Sequence, residues 1–370
     1  MKPPAAGGEH VLVNPYRQVG RVAEGDRFIG RSGLVRLVQS AWQEPGRPSN
    51  LRVLGHHRTG KTSLVRQALH ASPASPVQRA DLINVWLDVG THDSGADLFR
   101  SMTRQVMDEF RRRGRPGQEA SLGDLDAINT AVQQDGGWGD LREAVRDFFI
   151  ALSRVGYYVL AVLDEFDRAA TAFTRLAEFQ LLRILASDPM FPLGLITISR
   201  RDIESIEFDA AGGSILGGVV ATRRYVGMLT DDEADLMLAR ASSVNIGLAS
   251  VREEVVGYTG LHPFLLELLC GRIVDIHQAA GVLDVKAAYE QEAATFERQF
   301  SQLRQNIEAD SEGRATALLR RLASGSRSEP SSLELNRLRQ MGVVSSGPDP
   351  AILFSREFAR YVLMSAMGES

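Results

Sequence analysis

Apolar positions along the chain change their period several times, and each change marks an element. Leu34, Val35, Leu37, Val38 and Ala41 recur at helical spacing and predict an amphipathic helix over 32–42. After Pro45-Gly46-Arg47-Pro48, the run Leu51-Arg52-Val53-Leu54 reads as a short strand, followed by a glycine-rich turn and a helix over 62–71. A second strand over 82–87 ends in Asp88, and helices are expected at 96–110 and 141–154 around a polar, glycine-containing surface excursion at 111–139. Tyr158-Val159-Leu160-Ala161-Val162-Leu163 is apolar on both faces, the signature of a central strand in a parallel sheet. A helix over 170–186, a strand over 193–198, a glycine-rich loop at 212–218 and a short strand near 224–228 continue the alternation. Strands alternating with helices predict a parallel α/β sheet covered on both faces.

Beyond Leu229 the strand pattern stops. Thr230-x-x-Glu233 and Ser250-x-x-Glu253 read as capping boxes opening helices. Further helices are expected at 262–279 and 284–305. The last stretch predicts helices 314–323 and 331–341, an extended piece at 351–354, and a helix 355–364, the order of a winged helix-turn-helix. The expected division is an arm at 1–25, an α/β domain at 26–229, a helical lid at 230–308 and a winged helix at 309–370.

Composition narrows the class. With 44% hydrophobic and 24% charged residues, the 370-residue chain reads as a soluble globular protein with several cores. Its net charge of -4 argues against a surface coated in basic residues. One cysteine, Cys270, excludes an internal disulfide and a cysteine metal cage, and its Leu268-Leu269 neighbours suggest core packing. No signal-like segment follows Met1-Lys2-Pro3-Pro4, and no apolar run is long enough to span a bilayer, so a cytoplasmic location is expected.

The chemistry lies at two strand ends. Gly55-His56-His57-Arg58-Thr59-Gly60-Lys61-Thr62, with Ser63 following, matches G-x-x-x-x-G-K-[ST] between a strand and a helix. Gly55 permits a sharp turn and Gly60 a close backbone approach. The loop amides at a helix N-terminus attract phosphate, Lys61 adds a point charge, and Thr62 offers a hydroxyl to Mg²⁺. The adjacent His56 and His57 point apart and do not suggest a metal pair. The strand over 158–163 ends in Asp164-Glu165-Phe166-Asp167, a Walker-B pattern in which Asp164 is expected to hold Mg²⁺ and Glu165 to act as general base. At the next strand end stand Ser199-Arg200-Arg201, of which Arg200 is the favoured reporter of the γ-phosphate.

No Asn-Lys-x-Asp base-reading motif is present, which points away from GTP. The chain resembles the STAND class of AAA+-related ATPases, archaeal-type and bacterial defence or regulatory members included. The resemblance rests on Asn14-Pro15-Tyr16 with Phe28-Ile29-Gly30-Arg31, on the 197–201 strand end, on Gly260-Leu261-His262-Pro263, and on Leu353-Phe354-Ser355-Arg356-Glu357-Phe358. It implies that Gly30 and Arg31 border the nucleotide and that Pro263 abuts it from the lid. It also implies an ATP-driven switch. The winged-helix region lacks a Met-His-Asp motif, so an ADP-locked resting state is not implied, and no repeat sensor or effector domain accompanies these residues. Output is then expected through a separate protein partner or self-association.

An alternative is a DNA-handling ATPase of the initiator or transposition-helper type. Arg314, Arg320, Arg321, Arg337, Arg339, Arg356 and Arg360 face Glu312, Glu329, Glu334, Asp349, Glu357 and Glu369, a mild excess rather than a basic face. A small-molecule kinase would need an acceptor pocket, for which no signature stands out, and Arg111-Arg112-Arg113 reads as a solvated helix end.

Overall fold

The computed structural model describes residues 13–70, 79–113, 119–311, 313–325, 333–345 and 351–367. Residues 1–12 and the acidic positions Glu312, Glu329, Asp349 and Glu369 lie outside that set, as do the start expected at 331 and the helix end expected at 71. The chain divides into two compact units, Val22–Val226 and a second made of Met1–Arg21 with Gly227–Ser370.

The first unit carries five parallel strands, β1 (Leu51–Leu54), β2 (Leu82–Asp88), β3 (Tyr158–Asp164), β4 (Leu193–Ser199) and β5 (Arg223–Tyr225), in the order β2-β3-β4-β1-β5. Its helices are α1 (Ser32–Gln39), α2 (Lys61–His70), α3 (Gly95–Arg113), α4 (Glu119–Gln133), α5 (Trp138–Arg154), α6 (Ala169–Ala172), α7 (Leu176–Ser187) and α8 (Ile203–Ala211). Alternate residues of β3 feed two cores. Val159, Ala161 and Leu163 join Phe99, Phe148, Phe149 and Leu182 on one face. Leu160 and Val162 join Val38, Trp42, Leu64 and Val65 on the other. A strand buried on both sides needs apolar residues at every position, which is why β3 reads as a continuous apolar run.

Three expectations of this region are corrected. The polar excursion at 111–139 holds α4, because Leu122, Leu125 and Val132 keep helical spacing, and Leu125 and Val132 are fully covered. The helix expected over 170–186 breaks into α6 and α7, with the Glu178 carboxylate accepting from the Thr174 and Arg175 N–H groups at 2.8 and 3.1 Å to restart it. The strand near 224–228 is three residues long and starts at Arg223.

Arg52 on β1 is fully buried. It is matched by Glu204, whose Oε1 lies 2.9 Å from Nη2, and by the Val220 and Gly217 carbonyls. Buried Glu207 gathers the Ile215, Leu216 and Gly217 N–H groups, so the glycine-rich loop is fastened by two buried charges. The Arg111-Arg112-Arg113 run is consumed by Asp108, Asp126 and Glu109.

Among the described residues the second unit is helical: α9 (Asp231–Ala239), α10 (Arg252–Thr259), α11 (Pro263–Ala280), α12 (Val285–Ser311), α13 (Arg314–Ala323), α14 (Leu333–Gln340) and α15 (Arg356–Met367), with an antiparallel bridge from Val344 to Leu353. The Thr230 capping box forms, the Thr230 hydroxyl accepting from Glu233 N at 3.3 Å. The Ser250 box does not; a 3-10 turn Ala249–Val251 intervenes and Val251 precedes α10. The segment after position 12 is tied into this unit. Tyr16 is buried and donates to the Met237 carbonyl at 2.7 Å, and Asn14 Nδ2 reaches the Gly271 carbonyl at 2.8 Å. Cys270 is fully buried on α11, and burial pushes its thiol up to about 12. No helix among the described residues is long and apolar enough to cross a membrane.

Candidate functional site

The turn between β1 and α2 is built around glycine. A Cβ on Gly55 would lie 2.4 Å from the Val226 carbonyl oxygen and 2.9 Å from Thr59 Oγ1, so no other residue fits. Gly60 sits at φ +90 and Arg58 at φ +61, both in the left-handed region. The loop is braced internally: the Thr59 hydroxyl and the Lys61 ammonium both donate to the His56 carbonyl at 2.9 Å. It is also braced from beneath, where the buried Arg31 guanidinium donates to the Thr59 carbonyl at 2.5 Å. Gly30 and Arg31 themselves adopt φ +63 and +54 just before α1. His56 is buried and His57 exposed, so the two rings diverge. Ser63 Oγ accepts from Ala23 N at 2.9 Å and holds the 22–27 segment to α2.

The second half of the site is the rim formed by the ends of β3 and β4. Asp88 and Asp164 end β2 and β3 in register. The Thr62 hydroxyl donates to the Asp164 carboxylate, 3.1 Å from Oδ2 and 3.3 Å from Oδ1, and Glu165 N donates to Oδ1 at 2.9 Å. Glu165 is itself left-handed, at φ +51, and starts a 3-10 turn Phe166–Arg168. Its carboxylate is exposed, 3.8 Å from Arg168 Nε, beside a 390 Å³ cavity lined by Asp88, Gly90, Thr91, His92 and Arg168 among others. Asp167 Oδ2 accepts from Arg200 N at 2.7 Å and Oδ1 from Arg201 N at 3.0 Å. Gly55 N donates to the Ser199 carbonyl at 3.3 Å, tying the turn to β4.

The electrostatics follow from this geometry. Burial pulls the Lys61 ammonium down to about 8, against the charges of Asp167, Asp164 and Glu165, with Arg200 adding to the depression. Partial desolvation against the loop lowers His57 as well, although the residue is exposed, and the Lys61 and Arg58 charges add to it. Burial raises Asp164 and the Asp88 charge adds to it, while the Glu165 N–H and Thr62 hydroxyl oppose the rise. Among the described residues no cluster of three or more His, Cys, Asp or Glu side chains is placed to hold a metal ion. A hydroxyl beside one carboxylate is nonetheless the sparse oxygen set that suits Mg²⁺, which takes most of its remaining ligands from water and phosphate.

The structure brings residues 55–62, Asp164 and Glu165 together with Arg31 and the Arg200 backbone. Pro263 lies in the other unit, at the first position of α11. The sequence missed Asp167 as a tether; its only signal was a third carboxylate at a strand end that needs two.

A glycine-built turn between a parallel strand and a helix whose Thr62 hydroxyl donates to the first of two strand-end carboxylates defines a P-loop nucleotide hydrolase. Residues 27–196 match the AAA ATPase domain. Those residues thus form an AAA+-related P-loop ATPase domain. No curated protein sequence matches it significantly. Among solved structures, the Walker-type ATPase PABY2304 of Pyrococcus abyssi is similar at 15% identity and a TM-score of 0.56, covering 92% of this chain and 97% of that one. Drosophila ORC bound to DNA is similar at 12% identity and a TM-score of 0.50, covering 98% and 95%. At such identities the likeness concerns the fold.

Proposed function

We propose that the chain is a Mg²⁺-dependent ATPase of STAND type whose nucleotide state drives a conformational switch, read out by a protein partner or by self-association in signalling, regulation or defence. The observation that carries it is the Thr62–Asp164 hydrogen bond, which joins the phosphate loop to the carboxylate pair at the end of β3. Residues 55–63 cradle the phosphates through loop amides and the α2 N-terminus, with the Lys61 ammonium released from His56 O to the phosphates. Thr62 and Asp164 hold Mg²⁺, which when bound supplies neutralising charge at the phosphate oxygens. Glu165, at a strand end and open to solvent, takes a proton from the attacking water. Arg200, close enough to depress Lys61, stabilises charge at the γ-phosphate. Gly30 and Arg31 border the nucleotide, Arg31 through its guanidinium's bond to the Thr59 carbonyl.

The support for a switch is the division into two compact units, the second of which joins the helices after 227 with the segment before 22. Removing γ-phosphate contacts changes the relative stability of the two nucleotide states only if the units engage them differently. The test is small-angle scattering and sizing of Glu165→Gln with ATP, with ADP and without nucleotide. The reading expects a change in shape or mass between ATP and ADP, and identical profiles would rule it out.

Two observations favour a DNA-binding reading: α13, α14, the Val344–Leu353 bridge and α15 follow the order of a winged helix, and the similar Drosophila protein is bound to DNA in its structure. Against it, Arg314 pairs with Glu334, Arg360 with Glu357, and Arg337 donates to the Asp310 carbonyl, so these arginines are engaged inside the unit. Duplex DNA binding with a steep salt dependence would favour this reading, and no binding at low salt would remove it.

A further inference from the structure

We infer that Asp167 is a positioning residue for hydrolysis, coupling the placement of Glu165 to that of Arg200. The inference rests on the roles proposed above for those two residues. β3 and β4 pair from Val159 with Leu193 to Leu163 with Thr197, and there the ladder stops. β4 continues to Ser199, paired with β1 on its other edge as far as Leu54. The N–H groups of Arg200 and Arg201 lie beyond the last β3 rung. The Asp167 carboxylate takes both, one on each oxygen, at 2.7 and 3.0 Å, with Arg201 Nε a further 3.7 Å from Oδ1. A carboxylate accepting two successive backbone N–H groups is a strong, directional clamp, because each bond is charge-assisted.

What the clamp holds on its own side is the 3-10 turn Phe166–Arg168. That turn is closed by Arg168 N donating to the Glu165 carbonyl at 2.8 Å, and it starts from the left-handed Glu165. A non-glycine residue in that region is held there only by its surroundings. Phe166 buries its ring on one side and Asp167 grips β4 on the other, so the backbone carrying Glu165 is fixed at two points. On the far side, the same clamp sets the backbone from which the Arg200 side chain departs. Severing it frees both ends at once while leaving the phosphate loop, Thr62 and Asp164 in place.

The test uses the full chain with Asp167→Ala and Asp167→Asn, steady-state kcat and KM for ATP, and thermal unfolding without nucleotide. For Asp167→Ala, kcat falls by about tenfold to a hundredfold, the scale of a small misplacement of a reacting group, while KM stays within about threefold. Asp167→Asn, which keeps one acceptor oxygen, falls between Ala and the native chain. In a Glu165→Gln background either substitution lowers the residual rate by a smaller factor than in the native chain, because the part of the effect that runs through Glu165 is already lost. A native kcat in Asp167→Ala overturns the inference. So does a lowered unfolding temperature with kcat unchanged, the mark of a role in stability alone. If Asp167→Ala does not fold, Asp167→Asn decides by the same readings. Glu165→Gln alone hydrolysing at the native rate would sink the proposed function instead, so the two failures are distinct.

Discussion

The phosphate loop and the β3–β4 rim meet at one hydrogen bond, from Thr62 to Asp164, yet they are assembled differently. The loop is eight consecutive residues whose geometry follows from their own chemistry: a glycine where any Cβ would strike Val226, another at φ +90, and a lysine at the first position of α2. The rim joins residues 164–168 to 199–201 across more than thirty residues of sequence, and the Asp167 carboxylate spans the gap. A local site withstands loss of distant contacts. A site made by a tether loses function when the tether goes, even with every reacting group intact. Binding is thus expected to depend on the loop, and turnover on the rim.

The sharpest way to break this contrast is at Lys61. Lys61→Ala should weaken ATP binding by about a hundredfold or more, since it removes the loop's one ammonium from a triphosphate, and isothermal titration checks it. Near-native affinity would mean that the loop is not the phosphate site. A smaller effect should come from Thr62→Val, which breaks the junction itself. It should raise the Mg²⁺ concentration for half-maximal hydrolysis by about tenfold, the loss of one good oxygen ligand, with nucleotide affinity in EDTA unchanged.

These predictions draw on features of unequal legibility. The loop, β3 and the Asp164-Glu165 pair could be read because each is a contiguous pattern whose physics is local: a strand buried on both faces must be apolar throughout, and the loop must have glycine at fixed places. The α4 helix was not legible because its few apolar residues, Leu122, Leu125 and Val132, are diluted by polar ones and gain their cover only when the flanking helices α3 and α5 pack on them. The break between α6 and α7 turns on Glu178 reaching back to Thr174, a choice between two hydrogen-bonding modes that periodicity does not see. Asp167 was hidden for a different reason: its partners, Arg200 and Arg201, are adjacent only after the sheet has formed. Tyr16 belongs here too. Its segment reads as a proline- and glycine-rich arm, but its hydroxyl is fastened to carbonyls more than two hundred residues away.

The smallest effect sharpens the loop side. Burial holds Lys61 at about 8, far below an ordinary lysine, and binding a polyanion requires the charged form. ATP affinity should therefore be flat below that pH and fall by up to about tenfold per unit above it, because the free chain must then take up a proton to bind. Titration in buffers of different ionisation enthalpy would show the uptake. Affinity independent of pH on both sides of that value would mean that Lys61 stays charged in the free chain.

The central claim is that binding and turnover belong to separate halves of one site, and single-turnover hydrolysis by Glu165→Gln tests it most directly. With the variant in excess over radiolabelled ATP and Mg²⁺, the account predicts retained ATP binding and hydrolysis slowed by about a hundredfold to ten-thousandfold, the range for losing a general base. Hydrolysis at the native rate, or loss of binding along with it, would contradict that separation.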